Sequence, residues 1–302
     1  MAIPEKQLQT WSHQGAVQSS AATHKSVESC IEKENWNDDI SYVTYLQGSY
    51  PNYTNIYGNS DVDLVVEFRS IFSKNLSALT ESQKEQFNSD YSDAKYSLAA
   101  FKKVVIKQLK ECYGENNIDI GNKAILVKGN GGRLDCDVVV CNPYRKYISY
   151  SPSSKNYIEG ILFQTEKTNK TIINYPKVHL KNGSIKNQQG NTGGNFKPTV
   201  RVLKNIKASM VDKVYISKIL APSYFLECLI YNSDNQNFIN NTFSEIAVAI
   251  INQFSRDLDN GNMENYLVQN GQRKLFGLED QQWDINDASN FVKQLIKFWN
   301  EF

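Results

Sequence analysis

GSYPNYTNIYGNSDVDLVVEF, residues 48–68, places a glycine–serine pair ahead of a turn-rich segment and then two aspartates at the head of an apolar run. The run DVDLVVEF, like YVTYLQGSY (42–50) before it, is β-branched and aromatic. The intervening PNYTNIYGNS is dense in Pro, Asn and Gly, so the two runs read as neighbouring strands. Side chains on a strand alternate between faces with a period of two, so Asp61 and Asp63 face one spot. Like charges held that close repel unless a multivalent cation binds between them. Hard Mg²⁺ favours such oxygen ligands and keeps positions open for phosphate oxygens. The alternative is a half-exposed strand carrying two charges on its wet face. Gly48 permits a close backbone approach, and backbone N–H groups with the Ser49 hydroxyl can cradle a terminal phosphate, although Gly-Ser alone is an ordinary turn dipeptide.

A second acidic pair repeats the spacing: LDCDVVV (134–140) sets Asp135 and Asp137 two apart, again leading into an apolar strand. Adjacent strands would bring the two pairs together. Three carboxylates around two cations roughly 3.5–4 Å apart activate an attacking hydroxyl and steady a departing pyrophosphate, which is the chemistry of phosphoryl or nucleotidyl transfer.

Around these motifs the pattern is α+β. Ser20 or Thr23 can cap a first helix bearing Val27, Cys30 and Ile31. A long helix is expected over roughly Thr80–Cys112, with Thr80 and Gln83 as a capping box and Phe87, Tyr91, Leu98, Phe101, Val105 and Leu109 on one face. KAILVKGNGGRLDCDVVV reads as a hairpin around Asn130-Gly131. From Pro198 onward helices dominate, and NGSIKNQQGNTGGN (182–195) reads as a flexible loop. The division expected is a strand-rich lobe over residues 1–166 and a mostly helical lobe over 167–302.

Charge is unevenly spread. The chain of 302 residues has 33 Lys+Arg and 32 Asp+Glu, a formal net charge of +1, which argues against a protein that coats a polyanion or holds a long nucleic acid. Residues 167–218 nevertheless hold eleven bases and the single acid Asp212, a local charge of +10, and an anion should sit there or the surface is simply lysine-rich. Lys197, Arg201 and Lys204, spaced by four and three, align on one face of the helix near Pro198, opposite Val200, Leu203, Ile206 and Met210. Such a basic front suits a triphosphate, or is a solvated amphipathic face. Ser223-Tyr224, after Pro222, can offer a hydroxyl to phosphate and a ring to a base, or pack in a core.

Other chemistries are excluded by what is missing. The three histidines (His13, His24, His179) are not at metal-ligand spacing, and there is no GxSxG elbow or GxxxxGK[ST] loop. Five cysteines without a CxxC pair indicate neither a disulfide framework nor a thiolate zinc site, and a reduced cytoplasm fits them. No apolar stretch approaches the roughly 20 residues of a membrane span and the start lacks a signal-like segment, so a soluble, unprocessed protein is expected.

In this order, GSYPNYTNIYGNSDVDLVV, LDCDVVV, NYPKVHLKNG…KPTVRVLKNIK and PSYFLECLIYN resemble the bacterial cGAS/DncV-like nucleotidyltransferases, within the polymerase-β-type superfamily. The resemblance runs from about Trp11 to the last helix. It implies a two-lobed polymerase-β-like fold, a mixed-sheet catalytic lobe and a helical C-terminal lobe with the active site in the cleft. It also implies condensation of ribonucleoside triphosphates (ATP with GTP, UTP or CTP) into a cyclic di- or trinucleotide, using two Mg²⁺ or Mn²⁺ ions per site, in antiphage signalling. A separate effector protein would answer to the product, and a regulatory protein could join it. Carried over by position, Gly48 and Ser49 match the phosphate-binding element, Asp61 and Asp63 the first two metal-binding acids, and Asp137 the third. Lys204 matches the triphosphate-contacting lysine, with Arg201 on the same face, and Ser223 with Tyr224 match the phosphate-contacting and base-stacking pair. The family often has proline after Asp-Val-Val, where Val140 stands here, so Asp135 is a second candidate for the third acid.

Overall fold

Apolar side chains recur along two of the strands on both faces, and this dictates a sheet covered on each side. In the computed structural model, which describes residues 3–15, 18–58, 61–239 and 242–302, the strands are β1 (Tyr42–Gln47), β2 (Val62–Phe68), β3 (Ser73–Asn75), β4 (Ile118–Ile120), β5 (Ile125–Val127), β6 (Cys136–Ser151), β7 (Ser154–Gln164) and β8 (Thr171–Asn174). They form one mixed sheet in which β1 pairs antiparallel to β2, β2 parallel to β6, and β6 antiparallel to β5 and to β7. Val62, Leu64, Val66, Cys136, Val138 and Val140 pack with Val27, Ile31, Phe101, Val105 and Leu109 of the helices Gln18–Ile31 and Leu98–Tyr113. The alternate residues Val65, Val139 and Cys141 join Ile161, Phe163 and Ile172 in a second, smaller core.

The chain divides into two compact units. The sheet unit comprises residues 18–50 and 61–178; the helical unit comprises 3–15, 51–58 and 179–302. The boundary therefore falls after Val178 rather than after residue 166, because β8 continues the sheet beyond that point. The helix Glu5–Ser12 and residues 51–58 belong with the helical unit, not with the sheet. Its core gathers Leu8, Val200, Leu203, Ile206, Phe225, Leu229, Ile250, Phe254, Phe291 and Leu295 from five helices. Glu5 accepts hydrogen bonds from the backbone N–H groups of Phe243 and Ser244, and so satisfies the start of the helix Phe243–Asp259.

The sequence expectations fail locally in four places. The long helix is two, Glu81–Asp90 and Leu98–Tyr113. Thr80 and Gln83 do form the capping box, but the Ser- and Asp-rich stretch after Phe87 offers the backbone side-chain partners, and Ser97 caps a fresh start. Helix Gln18–Ile31 begins before Ser20 and Thr23, so neither caps it; Thr23 Oγ1 instead accepts from Leu134 N–H at 3.1 Å. The supposed loop 182–195 holds the end of helix Pro176–Lys186 and the turn Gln189–Thr192, because Thr192 Oγ1 and Asn191 Nδ2 donate to the carbonyls of Lys186 and Ile185. Cys30 and Cys112 form a disulfide between two helices, with Cα atoms 6.1 Å apart, which the cysteine spacing did not suggest. Among the described residues, no helix is long and apolar enough to cross a membrane.

Candidate active site

The parallel register of β2 and β6 sets Asp63 directly beside Asp137. Residues so paired project to the same side, and the period of two gives that side to Val65 and Val139 further along, so the carboxylates lie where an apolar face gives way to solvent. Asp61 is exposed just ahead of β2. Burial, and then the charges of Asp61 and Asp135, push the Asp137 carboxyl above the usual carboxylate range. The two candidates for the third acid have different surroundings. Asp137 sits beside Asp63, whereas Asp135 Oδ1 accepts from Gly129 N–H at 2.6 Å and closes the hairpin loop.

Gly48 completes this corner. Its φ is +70°, and a Cβ built there would lie 2.1 Å from Asp63 Oδ2, so any larger residue is strained at this backbone and displaces the carboxylate. Ser49 follows at once, opening the helical turn Ser49–Asn52. Among the described residues no three Asp, Glu, His or Cys side chains are already drawn in tightly enough to hold a metal ion. The donor set nevertheless fits a divalent cation: Asp61, Asp63 and Asp137 are hard oxygen ligands of one sign, and the charge of Asp61 already acts on Asp137.

In the helical unit the basic face is not a solvent front. Lys204 is 5% exposed, and its Nζ donates to Glu227 Oε1 at 2.5 Å and to the Thr54 carbonyl at 3.1 Å. Thr54 Oγ1 donates to the same carboxylate at 2.7 Å, and His179 Nε2 lies 3.2 Å from its other oxygen. Burial alone would raise the Glu227 pKa, but Lys204 and His179 bring it well below the usual range. Arg201 donates to the carbonyls of Ser12 and Tyr53. The described contacts of Lys204 and Arg201 hold residues 51–58 in place. Lys197 is also buried, with Nζ 3.2 Å from Ser184 Oγ and 5.0 Å from the Tyr53 ring centre.

Ser223 is exposed at the first turn of helix Ser223–Tyr231. Tyr224 keeps 36% of its surface exposed, stacks on His179 with centroids 5.3 Å apart, and accepts from Asn270 Nδ2 at 3.3 Å. Sequence reasoning missed Glu227 and His179. The signal for Glu227 was available: a lone acid inside SYFLECLIY must find a buried partner.

The C-terminal region matches a family model described as the cGAS/DncV-like nucleotidyltransferase C-terminal helical domain, over residues 181–300. The chain is 37% identical over 311 aligned residues to the cyclic nucleotide synthase CdnE01 of Staphylococcus haemolyticus, covering 100% of both. It is 39% identical over 299 residues to the cyclic UMP-AMP synthase of Rhodothermus marinus, covering 99% of this chain and 98% of the other. The solved structure of Rhodothermus marinus CdnE c-UMP-AMP synthase with Apcpp and Upnpp matches with a TM-score of 0.86 at 37% identity, over 99% of this chain and 97% of that one. That of Elizabethkingia meningoseptica CdnE cyclic dinucleotide synthase with GTP and Apcpp matches with a TM-score of 0.77 at 26% identity, over 98% of each. With the paired aspartates, the glycine beside them and full-length similarity in agreement, the chain belongs to the cGAS/DncV-like nucleotidyltransferases and is a nucleotidyltransferase of the two-lobed polymerase-β-like fold.

Proposed function

We propose that this enzyme condenses ribonucleoside triphosphates into a cyclic di- or trinucleotide, releasing one pyrophosphate for each bond formed. The observation that carries the proposal is the placement of Asp63 beside Asp137 with Gly48 against the Asp63 carboxylate. The family is generally dependent on a divalent metal. Asp61, Asp63 and Asp137 would hold Mg²⁺ or Mn²⁺, two ions per site. When bound, such cations neutralise the triphosphate and acidify an attacking hydroxyl.

The chain's own residues do the rest. The Gly48-Ser49 backbone and the Ser49 hydroxyl cradle phosphate oxygens, while Asp137 accepts the proton as a ribose 2′- or 3′-hydroxyl attacks the α-phosphate. The oxygen–phosphorus bond forms as the bond to pyrophosphate breaks, and a second equivalent step closes the ring. The Ser223 hydroxyl and the Tyr224 ring supply phosphate and base contacts. Little covalent chemistry falls to the protein, so positioning dominates.

One relative is a cyclic UMP-AMP synthase, so ATP with UTP is the first substrate pair to test, followed by GTP and CTP. The product would act as an antiphage signal on a separate effector protein, with a regulatory protein governing synthesis in the cytoplasm. Incubation with the four ribonucleoside triphosphates and Mg²⁺, then phosphatase and mass spectrometry, tests the reading. A phosphatase-resistant cyclic product is expected. A product that phosphatase degrades, or transfer to an added acceptor alone, would assign the protein to a different nucleotidyl transfer.

A further inference from the structure

His179 lies within the NYPKVHLKNG stretch and is 5% exposed. Its Nε2 is 3.2 Å from Glu227 Oε2, on the carboxylate that also accepts from Lys204 and Thr54. An ionised carboxylate only accepts, so Nε2 carries the proton; Nδ1 makes no hydrogen bond. The same ring lies against Tyr224 with planes 26° apart, and the His179 carbonyl accepts from Gln269 Nε2 at 2.9 Å. One imidazole thus touches both the half-exposed aromatic ring and the buried ion pair.

We infer that His179 is a positioning residue for nucleotide binding, fixing the plane of the Tyr224 ring by stacking while its own orientation is fixed through Glu227. The inference rests on the reading of Tyr224 as the base-stacking residue. A ring that must be immobilised when a base arrives subtracts that ordering cost from affinity, and a ring already packed on its neighbour does not. Stacking alone would leave the imidazole free to turn; the bond to a carboxylate that is itself tied to Lys204 and Thr54 removes that freedom.

Two substitutions separate the contacts. His179→Gln keeps an N–H donor for Glu227 and loses the ring; His179→Phe keeps a flat ring against Tyr224 and loses the donor. Calorimetric affinity for a nucleoside triphosphate and kcat for product synthesis are measured on each, with thermal unfolding as the control. His179→Gln is expected to weaken affinity about 5-fold, the scale of one aromatic pair, with kcat within about twofold and unfolding near wild type. His179→Phe is expected to keep the affinity and unfold at lower temperature. Equal affinity in wild type and His179→Gln, or equal losses in both variants, overturns the inference. Should His179→Phe fail to fold, His179→Gln decides alone on the same criterion. Tyr224→Ala separates the two failures. If it weakens binding and His179→Gln does not, only the role of His179 falls; if it leaves binding unchanged, the base-stacking role of Tyr224 falls and that of His179 with it.

Discussion

Replacing Gly48 with alanine probes the corner on which the site is built. An added Cβ meets Asp63 Oδ2 at 2.1 Å and Asp63 Cγ at 3.0 Å, so the carboxylate must withdraw by about 1 Å to restore ordinary contact. The backbone at φ +70° adds ~1 kcal/mol for any residue with a Cβ. Because Asp63 can yield by rotating its side chain, the total stability loss should be about 1–3 kcal/mol, and the protein remains folded. The effect on rate is larger, since displacement of a positioning group by about 1 Å costs on the order of 10²-fold. Gly58→Ala is the control. Gly58 has φ +75° but nothing within 4 Å of a Cβ, so it carries the backbone cost without the clash. Initial rates of pyrophosphate release and thermal unfolding should show both variants modestly destabilised and only Gly48→Ala slow. A Gly48→Ala enzyme within about twofold of the wild-type rate would refute the claim that the Asp63 carboxylate must stand where glycine leaves it.

Three further substitutions test other parts of the account. Asp137→Asn should lower kcat by at least about 10²-fold without loss of stability, because it removes a carboxylate already in repulsion with Asp61 and Asp135; thermal unfolding beside rate measurement checks both halves. Glu227→Gln strips the buried Lys204 of its counter-charge and should cost about 3–5 kcal/mol in urea unfolding at neutral pH. The folded-state pKa of Glu227 is depressed, so its contribution is complete above the unfolded value and fades as pH falls; the gap between variant and wild type should narrow below about pH 4. Lys186, half-buried against Phe196, Tyr231 and Phe238, has its pKa lowered by that burial to about 8. Between that value and its unfolded value of about 10.4 the unfolded chain holds more protons, so stability should rise with pH across that window in wild type and stay flatter in Lys186→Met.

The sheet half of the site was legible because period-two patterning is strict. Once Val62, Leu64 and Val66 face a core, Asp61 and Asp63 must share the opposite side, and LDCDVVV repeats the argument for Asp137. What patterning cannot supply is register. The pairing of Asp63 with Asp137 rather than with Asp135 depends on contacts between segments 74 residues apart. The helical half was harder to read. Helical spacing aligned Lys197, Arg201 and Lys204 correctly, but spacing does not say which face is buried, and the partners Glu227, Thr54 and Ser12 lie far along the chain. A basic stripe was therefore expected at a surface that the fold closes. The broken helix at Tyr91 is the same kind of failure: helical periodicity continued through it, while Tyr91 packs with Phe87 and Tyr150 in a separate cluster.

The central claim is that Asp61 and Asp63, with Asp137 beside them, hold the divalent metal through which nucleoside triphosphates are joined. Its most direct test is product synthesis by the doubly substituted Asp61→Ala, Asp63→Ala protein, with Mg²⁺ or Mn²⁺, beside wild type and with unfolding curves for both. The account predicts a folded protein that makes no cyclic nucleotide; synthesis retained in the folded double variant would contradict it.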